Sequence, residues 1–422
     1  MKILIVNVSD RDGGAARAAF RLHEGLLDVG VESCMLVQSK LGDNYTVIGP
    51  VTKKTKVISK LRPHIDQLPL VFYKNKTVTL FSPAWFLCGD VVNQINEINA
   101  DVVHLHWIAK GMLALESIAK IKAPIVWTLH DSWAFTGGCH ITGGCDKYIY
   151  QCGSCPNLRS KNHRDLSSKI FEKKKKMFNR VSSMTIVAVS KWLESCAKSS
   201  ALLKDHNIIN LPNLINTEKF KPVDKHVAKS MLNIDEGKKI ILFGAMSATD
   251  DANKGYKELI EAIDKLVSDN IELVIFGSSQ PKEHVDLKYK THYLGHLFDD
   301  ISIQVVYSAA DVTVVPSKIE AFGQTASESM SCGTPVVAFG TTGLLGIIDH
   351  KLNGYLAEPL DTEDLAKGIE WVLSASNYRE LCQEARNKVV REFDSSVVIA
   401  KYMALYKNIL QGGCLPLPQK NG

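Results

Sequence analysis

Long apolar runs are missing from this chain: none approaches the roughly 18 residues that a membrane-spanning helix needs. A dominant charge is missing too, since 50 Lys and Arg against 45 Asp and Glu leave +5, too mild to call for nucleic acid. No G-x-G-x-x-G fingerprint occurs, which counts against a dinucleotide oxidoreductase. There is no short-period repeat and no low-complexity segment. Nor does the start, MKILIVNVSD, read as a secretory signal; one Lys, a short apolar run and then Asp describe a buried first strand. The expected compartment is the cytosol, where ten cysteines act as thiols or metal ligands sooner than as disulfides.

What is present is alternation. At 422 residues the chain exceeds one ordinary core, and 45% hydrophobic against 23% charged residues is a globular balance. Apolar strand-like runs alternate with helix-length amphipathic segments: KILIVNV, ESCMLVQ, DVVHLHW, PIVWTLH and MTIVAVS, then KIILFGA, IELVIFG, THYLG, DVTVVPS and TPVVAF. Continuous apolar strands separated by helices mean parallel sheets covered on both faces, an α/β class. The pattern occurs twice, on either side of the Pro- and Asn-containing stretch LPNLINTEKFKPVD (211–224). This predicts two doubly wound, Rossmann-like domains, 1–212 and 213–395, facing a central cleft at their strand ends. A C-terminal helix and tail (396–422) are expected to pack back on the first domain.

The segment EAFGQTASESMSCGTPVVAF (320–339) sets two carboxylates, Glu320 and Glu328, eight positions apart. Locally it reads as loop, helix and strand, with Gly333 and Pro335 ending the helix. Amides near Phe322 and Gly323 at the helix start suit a diphosphate. Glu328, further along the helix, suits the two hydroxyls of a ribose, and Glu320 whatever lies beyond the phosphates. The spacing fits a ligand with a sugar at each end of a pyrophosphate.

In this context, Pro-Ser-x-x-Glu-x-Phe-Gly through Gly-Thr-Pro-Val-Val, the segment resembles the Glu-x7-Glu motif of family-4 retaining glycosyltransferases, which have the GT-B fold. The resemblance implies that Glu320 contacts the donor sugar, Glu328 the ribose, and the Phe322–Gly323 backbone phosphate. It implies that Lys254, ahead of a helix, stabilises the departing diphosphate. The Arg that usually joins it is replaced here by Ala245, or by Met246. Gly244 ends the preceding strand, and the turns at Gly277 and Leu294 resemble the family's base pocket. Gly13 and Gly14 resemble its first glycine loop. His130, ending PIVWTLH, resembles the residue that bonds the donor sugar near the reacting centre; His106 is expected to line the cleft.

Cys139, Cys145, Cys152 and Cys155 fall within 17 residues, and the closing C-x-x-C suits a tetrahedral ion. Structural zinc, with His140 able to replace one ligand, stands beside reduced thiols packing a loop, and behind both, disulfides. Capsule and lipopolysaccharide members of the family resemble the chain here as well, in Thr-Leu-His-Asp, Thr-Gly-Gly-Cys-His and Cys-Pro. Lys set among apolar residues at 51–76 and in FEKKKKMF (171–178) suits either an anionic lipid surface or a solvated helix face.

The resemblance thus implies transfer of a hexose from a nucleotide-diphosphate sugar, with UDP favoured and GDP admitted, to a glycan or lipid-linked acceptor. It would act without a catalytic divalent metal, Asp250-Asp251 being too little to argue otherwise, and without nucleic acid, in the cytosol or at the inner membrane face. A nucleotide-sugar epimerase and a non-catalytic sugar-nucleotide-binding subunit are the rival readings. The second of these rests on the missing Arg at Ala245.

Overall fold

A computed structural model of the chain describes residues 1–85, 90–181, 183–246, 248–279 and 287–412. It divides into two compact units: Met1–Pro212 with the helix from Ile399 onward, and Asn213–Val398.

The first unit is built on a seven-stranded, all-parallel sheet. In chain order its strands are β1 (Lys2–Ser9), β2 (Glu32–Ser39), β3 (Val47–Ile48), β4 (Val102–Leu105), β5 (Ile125–Leu129), β6 (Met184–Ala188) and β7 (Asn207–Asn210), laid out as β3-β2-β1-β4-β5-β6-β7. The order reverses at β1, so the loops after β1 and β4 leave the same edge in opposite directions. Central strands β4, β5 and β6 are buried along their whole length, as strands covered by helices on both faces must be.

The second unit repeats the plan with six parallel strands: β8 (Lys239–Gly244), β9 (Ile271–Phe276), β10 (Thr291–Tyr293), β11 (Val312–Val315), β12 (Val336–Phe339) and β13 (Gly354–Ala357), in the order β10-β9-β8-β11-β12-β13. Ile241, Phe243, Leu273, Ile275, Val314, Val337 and Phe339 pack into one core with Leu259, Ile263 and Ile369 of the covering helices. At the amino end of β11, buried Asp311 accepts from Lys225 at 3.0 Å and from the Ile240 amide at 2.8 Å.

The C-terminal region carries two helices, Tyr378–Glu392 and Ser395–Leu410. The break falls at Phe393–Asp394, where the Phe393 carbonyl accepts from Ile215 and the Asp394 carboxylate from Thr217. The second helix then sets Tyr406 Oη 2.7 Å from His104 Nδ1 in the first unit's core. FEKKKKMF faces both ways: in the helix Leu166–Phe178, Phe171, Met177 and Phe178 are core residues and Lys174 is fully buried, while Lys175 and Lys176 are exposed.

Candidate active site

Because every strand of the second unit runs the same way, the turns after β8, β9, β11 and β12 gather at one edge of its sheet. The turn Ala252–Lys254 and the loop after β11 are sewn together there. The Lys318 amide donates to the Asn253 carbonyl at 2.9 Å, and Asn253 Nδ2 to the Ile319 carbonyl at 2.9 Å. Gly255 permits the approach: its φ is +77°, and a Cβ would sit 2.0 Å from the Pro316 carbonyl oxygen. Glu320 is held on its far side, its amide donating to Thr342 Oγ1 at 2.9 Å and its carbonyl accepting from Gly343 at 2.9 Å. The outcome is an ion pair, Lys254 Nζ to Glu320 Oε1 at 2.7 Å, with the side chains 24% and 18% exposed and so within reach of a ligand. Burial works to lower the Lys254 pKa, but Glu320 outweighs it and holds the ammonium above its ordinary value.

Gly323, at φ +109°, turns the chain into the helix Gln324–Ser331, and buried Phe322 anchors that turn edge-on against Phe393 at 5.5 Å. Glu328 is only 4% exposed and accepts from the Tyr307 hydroxyl at 3.1 Å. The two glutamates therefore differ in kind, one half-open beside a lysine and the other buried beneath its helix. Tyr307, 21 residues upstream on a separate helix, gives no sign in the sequence of this contact.

The strand-end glycines have packing reasons of their own. A Cβ at Gly244 would meet the Phe276 ring at 1.9 Å, and one at Gly277 the Ala245 carbonyl oxygen at 1.9 Å. The Leu294 amide is committed to the Ile275 carbonyl at 2.8 Å. Two nearby basic side chains are committed elsewhere and do not stand in for the arginine absent at Ala245 and Met246: Arg386 donates to the Phe220, Thr217 and Ser331 carbonyls, and Lys318, next on the loop, pairs with Glu258 at 2.7 Å.

In the first unit, Gly13 (φ +96°) leads into the helix Gly14–Asp28 after β1, with nothing within 4 Å of its absent Cβ. Between them and the strand lies an Asp-x-Asp, Asp10-Arg11-Asp12. Asp10 is 1% exposed and its two oxygens accept from the Leu41 and Gly42 amides at 2.8 Å each, so it fastens a loop.

His130 follows β5, its Nε2 2.8 Å from His106 Nδ1, with the rings stacked at 5.1 Å. Burial pushes His130 down to about 4 although Asp131 pulls the other way, so the imidazole is neutral at physiological pH and serves as a hydrogen-bonding group. His106 does not line an open surface as expected; it is 3% exposed and spends its Nδ1 on His130. His104 is fully buried between Thr128 and Tyr406 and pushed down to about 3.

Next to His130, Asp131 forms a hub that sequence spacing does not reveal. Its carboxylate accepts from Trp107 Nε1 at 2.6 Å and the Trp133 amide at 2.8 Å, and lies 2.6 Å from His140 Nδ1. Burial works to raise its pKa, but His140 and these donors hold it below the usual carboxylate range. His140 Nε2 meets Ser82 Oγ at 2.8 Å, so both ring nitrogens are engaged and His140 is not a spare metal ligand. Beneath lies Lys174, pushed down to about 7 by complete burial, donating to the Trp133 and Thr136 carbonyls and standing 4.0 Å over the Trp133 ring.

Over 96% of its length the chain superposes on Anabaena HepE solved with UDP-glucose, at a TM-score of 0.64 and 18% identity, covering all of that chain. Two parallel Rossmann-like units of this kind are the GT-B fold of glycosyltransferases. The family description "Glycosyltransferase Family 4" matches residues 12–219 and "Glycosyl transferases group 1" residues 224–389. The chain belongs to the family-4 glycosyltransferases. It is 26% identical to the uncharacterized glycosyltransferase MJ1607 of Methanocaldococcus jannaschii, over 73% of this chain and 75% of that one. It is 22% identical to the phosphatidyl-myo-inositol mannosyltransferase of Mycobacterium leprae, over 91% of this chain and 94% of that one.

Proposed function

We propose that the protein is a retaining glycosyltransferase that moves a hexose from a nucleotide-diphosphate sugar, with UDP favoured as the nucleotide, onto a glycan or lipid-linked acceptor in surface polysaccharide synthesis. The observation that carries this is the partly exposed Lys254–Glu320 pair beside the Gly323 turn. A diphosphate arriving there competes with Glu320 for the ammonium, which frees the carboxylate to face the sugar. Glu328 serves the ribose hydroxyls, and neutral His130 the hexose. As the bond from the anomeric carbon to the diphosphate oxygen breaks, the acceptor oxygen bonds to that carbon from the same face. The departing phosphate oxygen takes the acceptor's proton, and configuration is retained. The protein's share is electrostatic, with Lys254 and helix-start amides stabilising charge as it builds on the diphosphate. The UDP-glucose held by the Anabaena protein supports the choice of nucleotide, and the name of the mycobacterial relative supports a lipid-borne acceptor.

A thermal-shift screen with UDP-, GDP- and ADP-sugars tests the donor: a ligand at a hundredfold excess over its Kd adds about 2.7 kcal/mol to the native state. Proton NMR of the glycosidic product reports the anomeric configuration, and an inverted product would end the retaining reading. The second reading, a sugar-nucleotide-binding subunit without turnover, is favoured by Ala245 where the family carries Arg. Donor binding without nucleoside-diphosphate release, with any acceptor extract, would establish it.

We also propose that the first unit rests on anionic lipid through residues 51–76. No helix among the described residues is long and apolar enough to cross a membrane. The helix Lys53–Gln67 and the turn Leu68–Phe72 expose Lys53, Lys54, Lys56 and Lys60 together with Val57, Leu61, Leu68 and Phe72, the last 88% exposed. Cations interleaved with large apolar side chains in water are what an anionic bilayer surface accepts.

A further inference from the structure

Cys139, Cys145, Cys152 and Cys155 come from three turns of the segment after β5, yet all four line one cavity of about 20 Å³, space for about one water-sized atom. The sulfurs of Cys139 and Cys155 stand 3.8 Å apart, far beyond the ~2.05 Å of a disulfide. With zinc–sulfur bonds of about 2.3 Å, the edge of a tetrahedral four-thiolate shell is about 3.8 Å. Backbone amides are turned toward these sulfurs: Gly137 N–H donates to Cys152 Sγ at 3.2 Å, and the Leu158 and Asn157 amides to Cys155. The frame is fixed from outside, by Asp165 accepting from the Cys155 amide at 2.8 Å and by Lys147 Nζ donating to the Gly153 and Ser154 carbonyls.

We infer that this cavity is a structural Zn²⁺ site with Cys139, Cys145, Cys152 and Cys155 as its four ligands. Among the described residues no three His, Cys, Asp or Glu side chains already form a metal-binding group, so Cys145 and Cys152 turn inward when the ion binds. Zn²⁺ with four thiolates carries two net negative charges. Lys147 lines the cavity and sets a cation beside it, its Nζ donating to the Gly153 and Ser154 carbonyls. Since Thr136, on the cavity wall, and Trp133 also hold Lys174, the ion stiffens the segment that carries Asp131 and His140. It takes no part in bond making.

The test is metal analysis of the intact protein purified without chelator. One zinc per chain is expected by mass spectrometry of the metal. Co²⁺ added to metal-stripped protein should give the visible absorption of a tetrahedral thiolate site, saturating at one equivalent. The paired substitution Cys152→Ser and Cys155→Ser should remove both signals, while Cys34→Ser, outside the cluster, should leave them. Because the cobalt titration uses the unaltered chain, it decides the matter even if the paired variant fails to fold. Substoichiometric zinc with no cobalt site, or a Cys139–Cys155 disulfide in the peptide map, would overturn the assignment.

Discussion

Removing the Lys254 ammonium separates chemistry from stability. The pair it forms with Glu320 is partly solvated, and ion pairs of that kind contribute about 0–1 kcal/mol to folding. A positioned charge facing a developing oxyanion is worth on the order of 10²–10³ in turnover. Lys254→Ala and Glu320→Gln should therefore each lower kcat by roughly a hundredfold or more while the melting temperature moves by only a few degrees. Near-normal turnover in both would refute the assignment of this site. Glu328 should behave differently, because it is buried against Tyr307. Glu328→Ala removes that hydrogen bond, and a bond to a charged acceptor contributes about 1.5–3 kcal/mol. Melting should fall clearly along with a raised donor KM, whereas Glu328→Gln should recover the stability and not the KM. The eight-residue spacing of the glutamates was legible in the sequence. The depth of the second one was not, since it depends on a helix that meets it only in three dimensions.

Strands were legible where a distinct apolar run marked them. All ten apolar runs became strands, and among the described residues the three further strands, Val47–Ile48, Asn207–Asn210 and Gly354–Ala357, each lie at the edge of a sheet. An edge strand pairs on one side only and needs no continuous apolar run, so a two-residue or Asn-flanked segment escapes a search for hydrophobic strands. The basic runs show the reverse error, because composition does not tell which side of a helix faces the core. In Leu166–Phe178 the apolar residues and one lysine turn inward, whereas in Lys53–Gln67 Val57 and Leu61 stay exposed beside four lysines. That contrast confines the membrane prediction to one element. Vesicles containing anionic phospholipid should sediment the protein at low salt and neutral vesicles should not, with each lysine near the surface worth about 1 kcal/mol. Reversing Lys53, Lys54 and Lys56 to Glu should abolish sedimentation, while the same reversal at Lys175 and Lys176 should leave it. Equal losses from the triple and the double reversal would reject a docking role specific to 51–76.

At the scale of the whole molecule, the protonation chemistry is unevenly shared. His23, His104, His106, His130 and His206 all have folded-state pKa values depressed by burial, and all lie in the first unit. A histidine depressed in the native state binds fewer protons folded than unfolded. Its stabilisation is therefore complete above the ordinary value near 6.5 and is lost as pH falls toward the folded values of about 4 for His23 and His130 and about 3 for His104. Each unit of depression corresponds to about 1.4 kcal/mol. Asp66, pushed up to about 6 by burial, opposes this, because its native state holds the proton more tightly; it is one group against five. The first unit should thus soften between pH 6.5 and 4 before the second does. Tryptophan supplies the reporter, since Trp85, Trp107, Trp127, Trp133 and Trp192 belong to the first unit and only Trp371 to the second. Melting followed by tryptophan fluorescence should move to lower temperature between pH 7.5 and pH 5 by more than melting followed by far-ultraviolet circular dichroism, which senses both sheets. Coincident midpoints at both pH values would show that the histidines of the first unit do not govern its acid stability.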